Sequence, residues 1–184
     1  MIQSWLNQYI NYLDKVKVIS PESTYLAERM TPKDVLKAAS VIVEVEPRTT
    51  GCTEEIIRKM RRDAMLVLIE TDADMLHYLT DRYGECDRIL IVEADAVDLQ
   101  DVLQTLNIKE VDVLVSGLPF ITLDSKQTEN ILREIKAVLS KTGLFLTIQY
   151  TKMRKRHFQH VFNRVSIKRE YRNVPPLYLF HCTM

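Results

Sequence analysis

Hydrophobic residues in this chain occur as short runs separated by longer amphipathic stretches. The runs are rich in Val, Ile and Leu and are about five residues long. Short, nearly continuous apolar runs are typical of strands that are buried on both faces of a parallel sheet. The sequence therefore predicts five such strands, over residues 41–45, 64–69, 88–92, 111–115 and 144–149.

The stretches between these runs have helical periodicity. Thr31, Thr53 and Thr71 each precede such a stretch with a proline or acidic residues directly after them, which is a typical helix start. Two further helices are predicted over residues 96–106 and 125–140. Strands that alternate with helices in this way predict right-handed βαβ units. The expected fold is a three-layer α/β sandwich around a doubly wound, mostly parallel sheet.

The two ends of the chain depart from this alternation. Residues 166–171 and 178–182 are strand-like, and the residues between them, which include two prolines, are too few for a crossover helix. They predict an antiparallel hairpin at one edge of the sheet. Residues 1–30 have helical spacing that is broken at a Ser-Pro pair, and predict a helical cover. We expect one domain, with residues 31–184 as its core.

The composition is that of an ordinary globular domain, because 46% of the 184 residues are hydrophobic and 27% are charged. No apolar run approaches the length of a membrane span, and no signal-peptide pattern is present, so a cytoplasmic protein is expected. Cys52, Cys86 and Cys182 form neither a disulfide framework nor a zinc pattern. His157 and His160 have no third ligand nearby, so no metal site is predicted.

The charge is distributed unevenly along a chain whose net charge is zero. From residue 152 to the end there are eight Lys or Arg and one acidic residue. Such a segment favours a phosphate, an acidic ligand or an anionic lipid surface. The alternative is a solvated helix with cations that protect an edge strand. The candidates for contact with lipid phosphates at the inner membrane face are Lys152, Arg154, Lys155 and Arg156.

The predicted sheet also indicates where a ligand binds. In an open parallel sheet, ligands bind beyond the carboxyl ends of the strands, near the point where strand order reverses. Glu70 and Asp95 come at or soon after the ends of predicted strands, where a carboxylate can hold a ligand. The alternative for both is a capping role at the start of the next helix. The segments at this edge are residues 44–53, 70–71, 95–96 and 116–120.

The first of these segments resembles the first motif of class I S-adenosylmethionine-dependent methyltransferases. In that motif an acid at the strand end is followed by a Gly-rich turn and a helix. The resemblance implies S-adenosylmethionine as the cofactor, with Glu70 at the ribose hydroxyls and Asp95 beside the adenine. The residues that it assigns to the cofactor are Glu44, Val45, Glu46, Pro47, Arg48, Thr49, Gly51, Glu70, Thr71, Asp95, Ala96 and Ser116.

Within that superfamily, the chain is most similar to small bacterial phospholipid N-methyltransferases and to their ribosomal RNA adenine methyltransferase-like neighbours. The similarity lies in Ser-Pro-Glu-Ser at residues 20–23, Ser-Gly-Leu-Pro-Phe at residues 116–120, and Gln149-Tyr150. It implies methyl transfer to an amine, with a phospholipid head group as the preferred substrate. The residues implied on the substrate side are Gly117, Leu118, Pro119, Phe120 and Tyr150.

The first motif departs from the family at its glycines. Glu46, Arg48 and Thr50 occupy the three Gly positions, and Gly51 is displaced by one residue. Glycine lets such a loop turn and approach the ligand closely. Three consequences are open: Glu46 and Arg48 fill the pocket as an ion pair, Arg48 holds the donor carboxylate with the loop re-formed around Gly51, or the loop binds another acidic ligand. A catalytically inactive binding or regulatory protein is therefore the main alternative.

An RNA adenine methyltransferase-like activity is a further alternative. Enzymes that methylate the exocyclic amine of adenine usually carry Asn or Asp where this chain has Gly117. Without that acceptor and without a basic stripe interleaved with aromatic residues, nucleic acid is not the expected partner. Trp5 and Tyr9 suit a water–lipid boundary, but few positive charges accompany them, so a cover over the site is favoured. A dinucleotide oxidoreductase would need a Gly-x-Gly-x-x-Gly that is absent.

Overall fold

The structure is a computed structural model that describes residues 22–47, 50–171 and 177–184. Its centre is a seven-stranded sheet. The strands are β1 (Val41–Val45), β2 (Met65–Glu70), β3 (Ile89–Glu93), β4 (Val111–Ser116), β5 (Leu139–Gln149), β6 (Arg164–Glu170) and β7 (Leu177–Thr183).

Helices pack on both faces of this sheet. The α-helices are α1 (Glu22–Met30), α2 (Lys33–Ala38), α3 (Thr50–Lys59), α4 (Ala73–Tyr83), α5 (Leu99–Thr105), α6 (Ser125–Val138) and α7 (Lys155–Val161). Short 3-10 helices lie at Ala96–Asp98, directly before α5, and at Phe120–Thr122. Within these described ranges, no helix is long and apolar enough to cross a bilayer.

The strand order confirms the predicted topology. The order across the sheet is β3-β2-β1-β4-β5-β7-β6. The first five strands are parallel, and β7 runs antiparallel between β5 and β6. The predicted C-terminal hairpin is thus present at one edge. Strand order reverses between β1 and β4, so the crevice beyond their carboxyl ends is where this topology places a ligand.

The apolar runs contribute to two separate cores because successive residues of a strand point to opposite faces. Val43 and Val45 pack on one face with α6 and α7, where five phenylalanines meet. Ile42 packs on the other face with α3 and α4. In the phenylalanine group, the ring of Phe158 lies 5.1 Å from that of Phe120 and 4.7 Å from that of Phe180. Burial on both faces explains why the strands have no polar alternation.

Helices follow Thr31 and Thr71 as predicted, but Thr31 does not cap its helix, and the helix predicted to start at Thr53 begins earlier, at Thr50. Helix α2 begins at Lys33 without a side-chain cap, and the Thr31 hydroxyl donates to the carbonyl of Ala27 at 2.5 Å. Helix α3 begins at Thr50, so Thr53 lies inside it. The start after Thr71 is confirmed.

The helix predicted over residues 125–140 ends two residues early, and Gly143 lies inside β5, which starts before the predicted strand. Helix α6 ends at Val138 and the chain continues directly into β5 at Leu139. A Cβ on Gly143 would lie 2.9 Å from the carbonyl oxygen of Ser140. Glycine is therefore required by a close approach of the backbone, at the place where the pairing of β4 with β5 is irregular.

The described part of the predicted cover is α1, which packs against α3. Arg29 of α1 reaches the Glu170 carboxylate of β6 at 3.9 Å, so the helix also contacts the hairpin. The proposed first helix with Trp5 and Tyr9, and the prolines between β6 and β7, lie outside the described residues.

Candidate cofactor site

Two backbone hydrogen bonds continue the sheet beyond the carboxyl end of β1. The N–H of Glu46 donates to the carbonyl of Ile69 at 2.9 Å, and the N–H of Gly117 donates to the carbonyl of Val45 at 3.0 Å. These bonds hold the first residues after β1 and β4 next to each other. The predicted first motif therefore meets residues 116–120, which resemble the fourth motif of the same superfamily, at the point where strand order reverses.

Glu46 has a left-handed backbone conformation, with φ of 51°. This conformation costs a residue with a Cβ about 1–2 kcal/mol, and it is the reason that glycine is favoured in such turns. The chain therefore makes a turn of the kind that glycine favours, although it carries a half-buried glutamate there.

Gly51 does not take over the role of the missing glycines. It lies in the first turn of α3, and no glycine in the described part of the chain has a positive φ. The loop is therefore turned at Glu46 and not re-formed around Gly51. Arg48 and Thr49 lie outside the described residues.

Glu44 is a buried carboxyl directly beneath this turn. Its side chain is 2% exposed, and its Oε2 accepts a hydrogen bond from the Thr53 hydroxyl at 2.7 Å. Burial raises the pKa of Glu44 to about 8; the Thr53 hydrogen bond opposes the rise and the Glu70 carboxylate adds to it. Glu44 is therefore mainly neutral at pH 7. The bond to Thr53 joins the end of β1 to α3, which are the two ends of the turn.

Glu70 has a different environment from Glu44. Its Oε1 accepts from the N–H of Thr71 at 2.7 Å and from that of Asp72 at 2.9 Å, while its side chain is only 5% exposed. No donor within the described ranges bonds to its Oε2. Asp72 caps α4 by accepting from the N–H of Met75, so the capping role proposed as the alternative for Glu70 is filled by its neighbour. Glu70 thus presents a second, oriented oxygen at the strand end.

The residues after β3 have structural roles of their own. Asp95 is exposed, and its Oδ1 accepts from the N–H of Val97 at 3.1 Å, which caps the 3-10 helix. The Ala96 side chain is buried in the core. The capping alternative for Asp95 is therefore present, and its contact with an adenine stays a prediction.

Gln149 holds the fourth motif in place, a role that the sequence does not reveal. Its Nε2 donates to the carbonyl of Leu118 at 2.9 Å and to the Thr147 hydroxyl at 2.9 Å. Its Oε1 accepts from the N–H of Phe120 at 3.1 Å. With only 3% of its side chain exposed, this amide fastens the segment after β4 to the end of β5.

The fourth motif has an internal and an external part. Ser116, Leu118 and Phe120 are buried, and the Phe120 ring packs in the phenylalanine group. Gly117 and Pro119 are partly exposed, as is Tyr150 after β5. Of the residues implied on the substrate side, Gly117, Pro119 and Tyr150 therefore reach the surface, whereas Leu118 and Phe120 belong to the core.

The four cations predicted to contact lipid differ in their exposure and in their hydrogen-bond partners. Arg154 donates to the carbonyl of Leu123, to that of Phe120 at 3.4 Å and to the Ser125 hydroxyl at 3.1 Å. These bonds connect the segment before α7 to the segment before α6. Lys152, Lys155 and Arg156 are exposed. Arg154 is thus committed to internal contacts, and only the other three cations are available at the surface.

Among the residues that the structure describes, no three His, Cys, Asp or Glu side chains are grouped so that they could hold a metal ion.

The fold and the position of the site define a class. None of the protein-family models matches the chain. A structure of precorrin-6y C5,15-methyltransferase from Geobacter metallireducens superimposes with a TM-score of 0.68 over 91% of this chain and 90% of that one, at 13% identity. An O-methyltransferase family protein from Burkholderia thailandensis superimposes with a TM-score of 0.64 at 7% identity, over 86% of this chain but 55% of that one. The chain has the class I methyltransferase fold.

The sequence comparison is more specific than the fold. The chain is 26% identical over 179 residues to the ornithine lipid N-methyltransferase of Singulisphaera acidiphila. The aligned region covers 97% of this chain and 93% of that relative. The chain is therefore similar along nearly its whole length to a lipid N-methyltransferase, as the predicted resemblance implies.

The turn at Glu46 generates a stability prediction. We expect Glu46→Gly to be more stable than Glu46→Ala by about 1 kcal/mol in urea unfolding, because both variants lose the carboxylate but only glycine loses the Cβ strain. The matched pair at Glu134, within α6, should show the opposite order, because glycine is the weaker helix former. Equal or reversed stability at position 46 would contradict the left-handed turn.

The buried carboxyl of Glu44 generates a pH prediction. Its pKa is raised from 4.5 to about 8 on folding, so the folded state holds an extra proton in this window and wild-type stability should fall as pH rises through it. Glu44→Gln removes this titration and should be more stable than wild type at pH 8 by at least about 1 kcal/mol. Urea unfolding at several pH values measures the difference.

Glu55 provides a control of opposite sign. The hydrogen bond from Arg58 is the largest cause that lowers the pKa of Glu55 to about 2, so its ionised form stabilises the fold above pH 4.5. Glu55→Gln should therefore reduce stability at pH 7.

For the Glu44 prediction, parallel plots of unfolding free energy against pH for wild type and Glu44→Gln would show that Glu44 does not titrate as described.

Proposed function

We propose that this protein is an S-adenosylmethionine-dependent N-methyltransferase whose acceptor is the amine of a lipid head group. The observation that carries the proposal is the pairing of the left-handed turn at Glu46 with the oriented carboxylate of Glu70, at the reversal point of the sheet. The similarity to an ornithine lipid N-methyltransferase along nearly the whole chain supports the lipid amine as substrate.

The residues present fit the nucleoside half of the cofactor. S-adenosylmethionine supplies a sulfonium methyl that is already activated, so the protein chiefly positions the acceptor and excludes water. In this proposal the Oε2 of Glu70 accepts from the ribose hydroxyls in charge-assisted bonds. Asp95 borders the adenine, and the backbone turn of residues 44–47 supports the methionine half.

The acceptor binds, in this proposal, against the segment after β4. Gln149 and Arg154 fasten that segment from two sides, so Gly117 and Pro119 are held as a fixed surface. Tyr150 lies at the end of β5, beside the same edge. A fixed surface suits a reaction in which rate depends on alignment of the amine with the methyl group.

Two observations weigh on the alternatives. The glutamate at a family glycine position favours an inactive relative, but the retained turn and the oriented Glu70 oxygen support donor binding. Gly117 offers no side-chain acceptor for an adenine amine, which disfavours an RNA substrate. A lipid substrate also implies peripheral contact with a membrane, for which Lys152, Lys155 and Arg156 are the available cations.

Transfer of a methyl group to amine-bearing lipids tests the proposal. The protein, S-adenosylmethionine and micelles of ornithine lipid or phosphatidylethanolamine should give lipid products heavier by methyl groups in mass spectrometry. Glu70→Ala should lower kcat/KM roughly 10- to 100-fold, the effect of losing hydrogen bonds to a charged group. Asp74→Asn, which changes an exposed carboxylate of α4 nearby, is the matched control and should retain activity. Absence of methyl transfer to every amine lipid tried would contradict the proposed function.

A further inference from the structure

A cluster of cations and tyrosines lies at the carboxyl end of β5. The Nζ of Lys152 is 5.3 Å from the centre of the Tyr178 ring, and the guanidinium carbon of Arg169 is 5.8 Å from the same ring. Arg169 also lies 4.8 Å from the Tyr171 ring. Because Tyr178 pairs with Gln149 at the end of β5, this cluster lies at the edge that carries the candidate site.

Two large side chains with apolar surface project from this cluster. Met153 is 66% exposed and Tyr171 is 70% exposed, whereas the other exposed large hydrophobic side chains in the described ranges, Tyr78 and Val97, reach 41% and 43%. Met153 follows Lys152 directly, and Tyr171 lies beside Arg169. The most exposed apolar groups therefore accompany the cations.

Helix α7 adds further positive charge. Lys155 and Arg156 are exposed in its first turn. Among the described ion pairs, none uses Lys152, Lys155, Arg156 or Arg169. Glu170 is buried and is approached by Arg29 of α1, and strand alternation directs it to the face opposite that of Arg169.

We propose that this basic–aromatic patch docks the protein on a bilayer that contains anionic lipids, with the carboxyl edge of the sheet toward the head groups. The patch consists of Lys152, Met153, Lys155, Arg156, Arg169 and Tyr171. Clustered cations attract an anionic surface, and exposed side chains of mixed polar and apolar character enter the head-group layer. This inference rests on the proposed function, because the orientation is useful only if it places the site beside a lipid substrate.

The patch differs from a simple guard of an edge strand and from an RNA site. Protection of the edge strand β6 would need cations on β6 alone, but Lys152, Met153, Lys155 and Arg156 lie on the segment after β5 and on α7. Single-stranded RNA is bound by aromatic rings that stack on bases. Here Tyr171 and Tyr178 already have cations over their rings, and the thioether of Met153 offers no stacking surface.

Flotation of the full chain with lipid vesicles tests the docking surface. Wild type should bind vesicles of phosphatidylcholine with phosphatidylglycerol, less so at high salt, and should not bind phosphatidylcholine alone. The pairs Lys152→Glu/Arg169→Glu and Met153→Asp/Tyr171→Asp should each lower partitioning at least about tenfold. Lys109→Glu/Lys141→Glu and Tyr78→Asp, exposed changes elsewhere, are matched controls that should bind normally.

Several outcomes would overturn the docking surface. The first is equal binding of the patch variants and wild type to anionic vesicles. The second is no binding of folded wild type to these vesicles. The third is release of the protein from vesicles by single-stranded RNA at a lower concentration than is needed with soluble anionic head groups. Circular dichroism checks that each variant is folded.

Activity measured on two forms of substrate separates this inference from the proposed function. The patch variants should lose methyl transfer to amine lipid in anionic vesicles but retain it with a short-chain, water-soluble form of the lipid. If the protein floats as expected yet methylates neither form, the proposed function fails and the docking surface stands. If the patch variants methylate vesicle lipid as well as wild type does, the docking surface fails and the proposed function stands.

Discussion

The left-handed turn at Glu46 is the constraint on which the candidate site depends. It is held by hydrogen bonds from Glu46 to Ile69 and from Gly117 to Val45, which join the end of β1 to both neighbouring strands. A glutamate in this conformation persists only because the surrounding structure dictates it. The same turn decides whether the crevice above β1 and β4 is open to a donor or blocked by a side chain.

The side chains around the turn have different roles because their environments differ. Burial keeps Glu44 neutral and bonded to Thr53, so it stabilises the base of the turn. Glu70 is also buried, but two backbone N–H groups bond to one of its oxygens and orient the other. At the ends of β4 and β5, Gln149 holds the backbone of the fourth motif. Hydrogen bonds thus connect the ends of neighbouring elements around the candidate site.

The strands and their order could be predicted because burial on both faces leaves continuous apolar runs. The start of α4 could be predicted because Asp72 caps this helix through a local contact. The roles of Thr53 and Gln149 could not, since their partners Glu44 and Phe120 lie 9 and 29 residues away. The sequence also does not distinguish Arg154 from a surface cation, because its charge is visible in the sequence and its carbonyl partners are not. The left-handed turn at Glu46 could not be predicted either, because a glutamate gives no local signal for that conformation.

Calorimetric titration of the protein with S-adenosylmethionine and S-adenosylhomocysteine tests the central claim most directly. The account predicts saturable binding of both, weakened by about 1.5–3 kcal/mol in Glu70→Ala, the range for hydrogen bonds to a charged group. The absence of binding at millimolar ligand would contradict it, and so would an affinity that Glu70→Ala leaves unchanged.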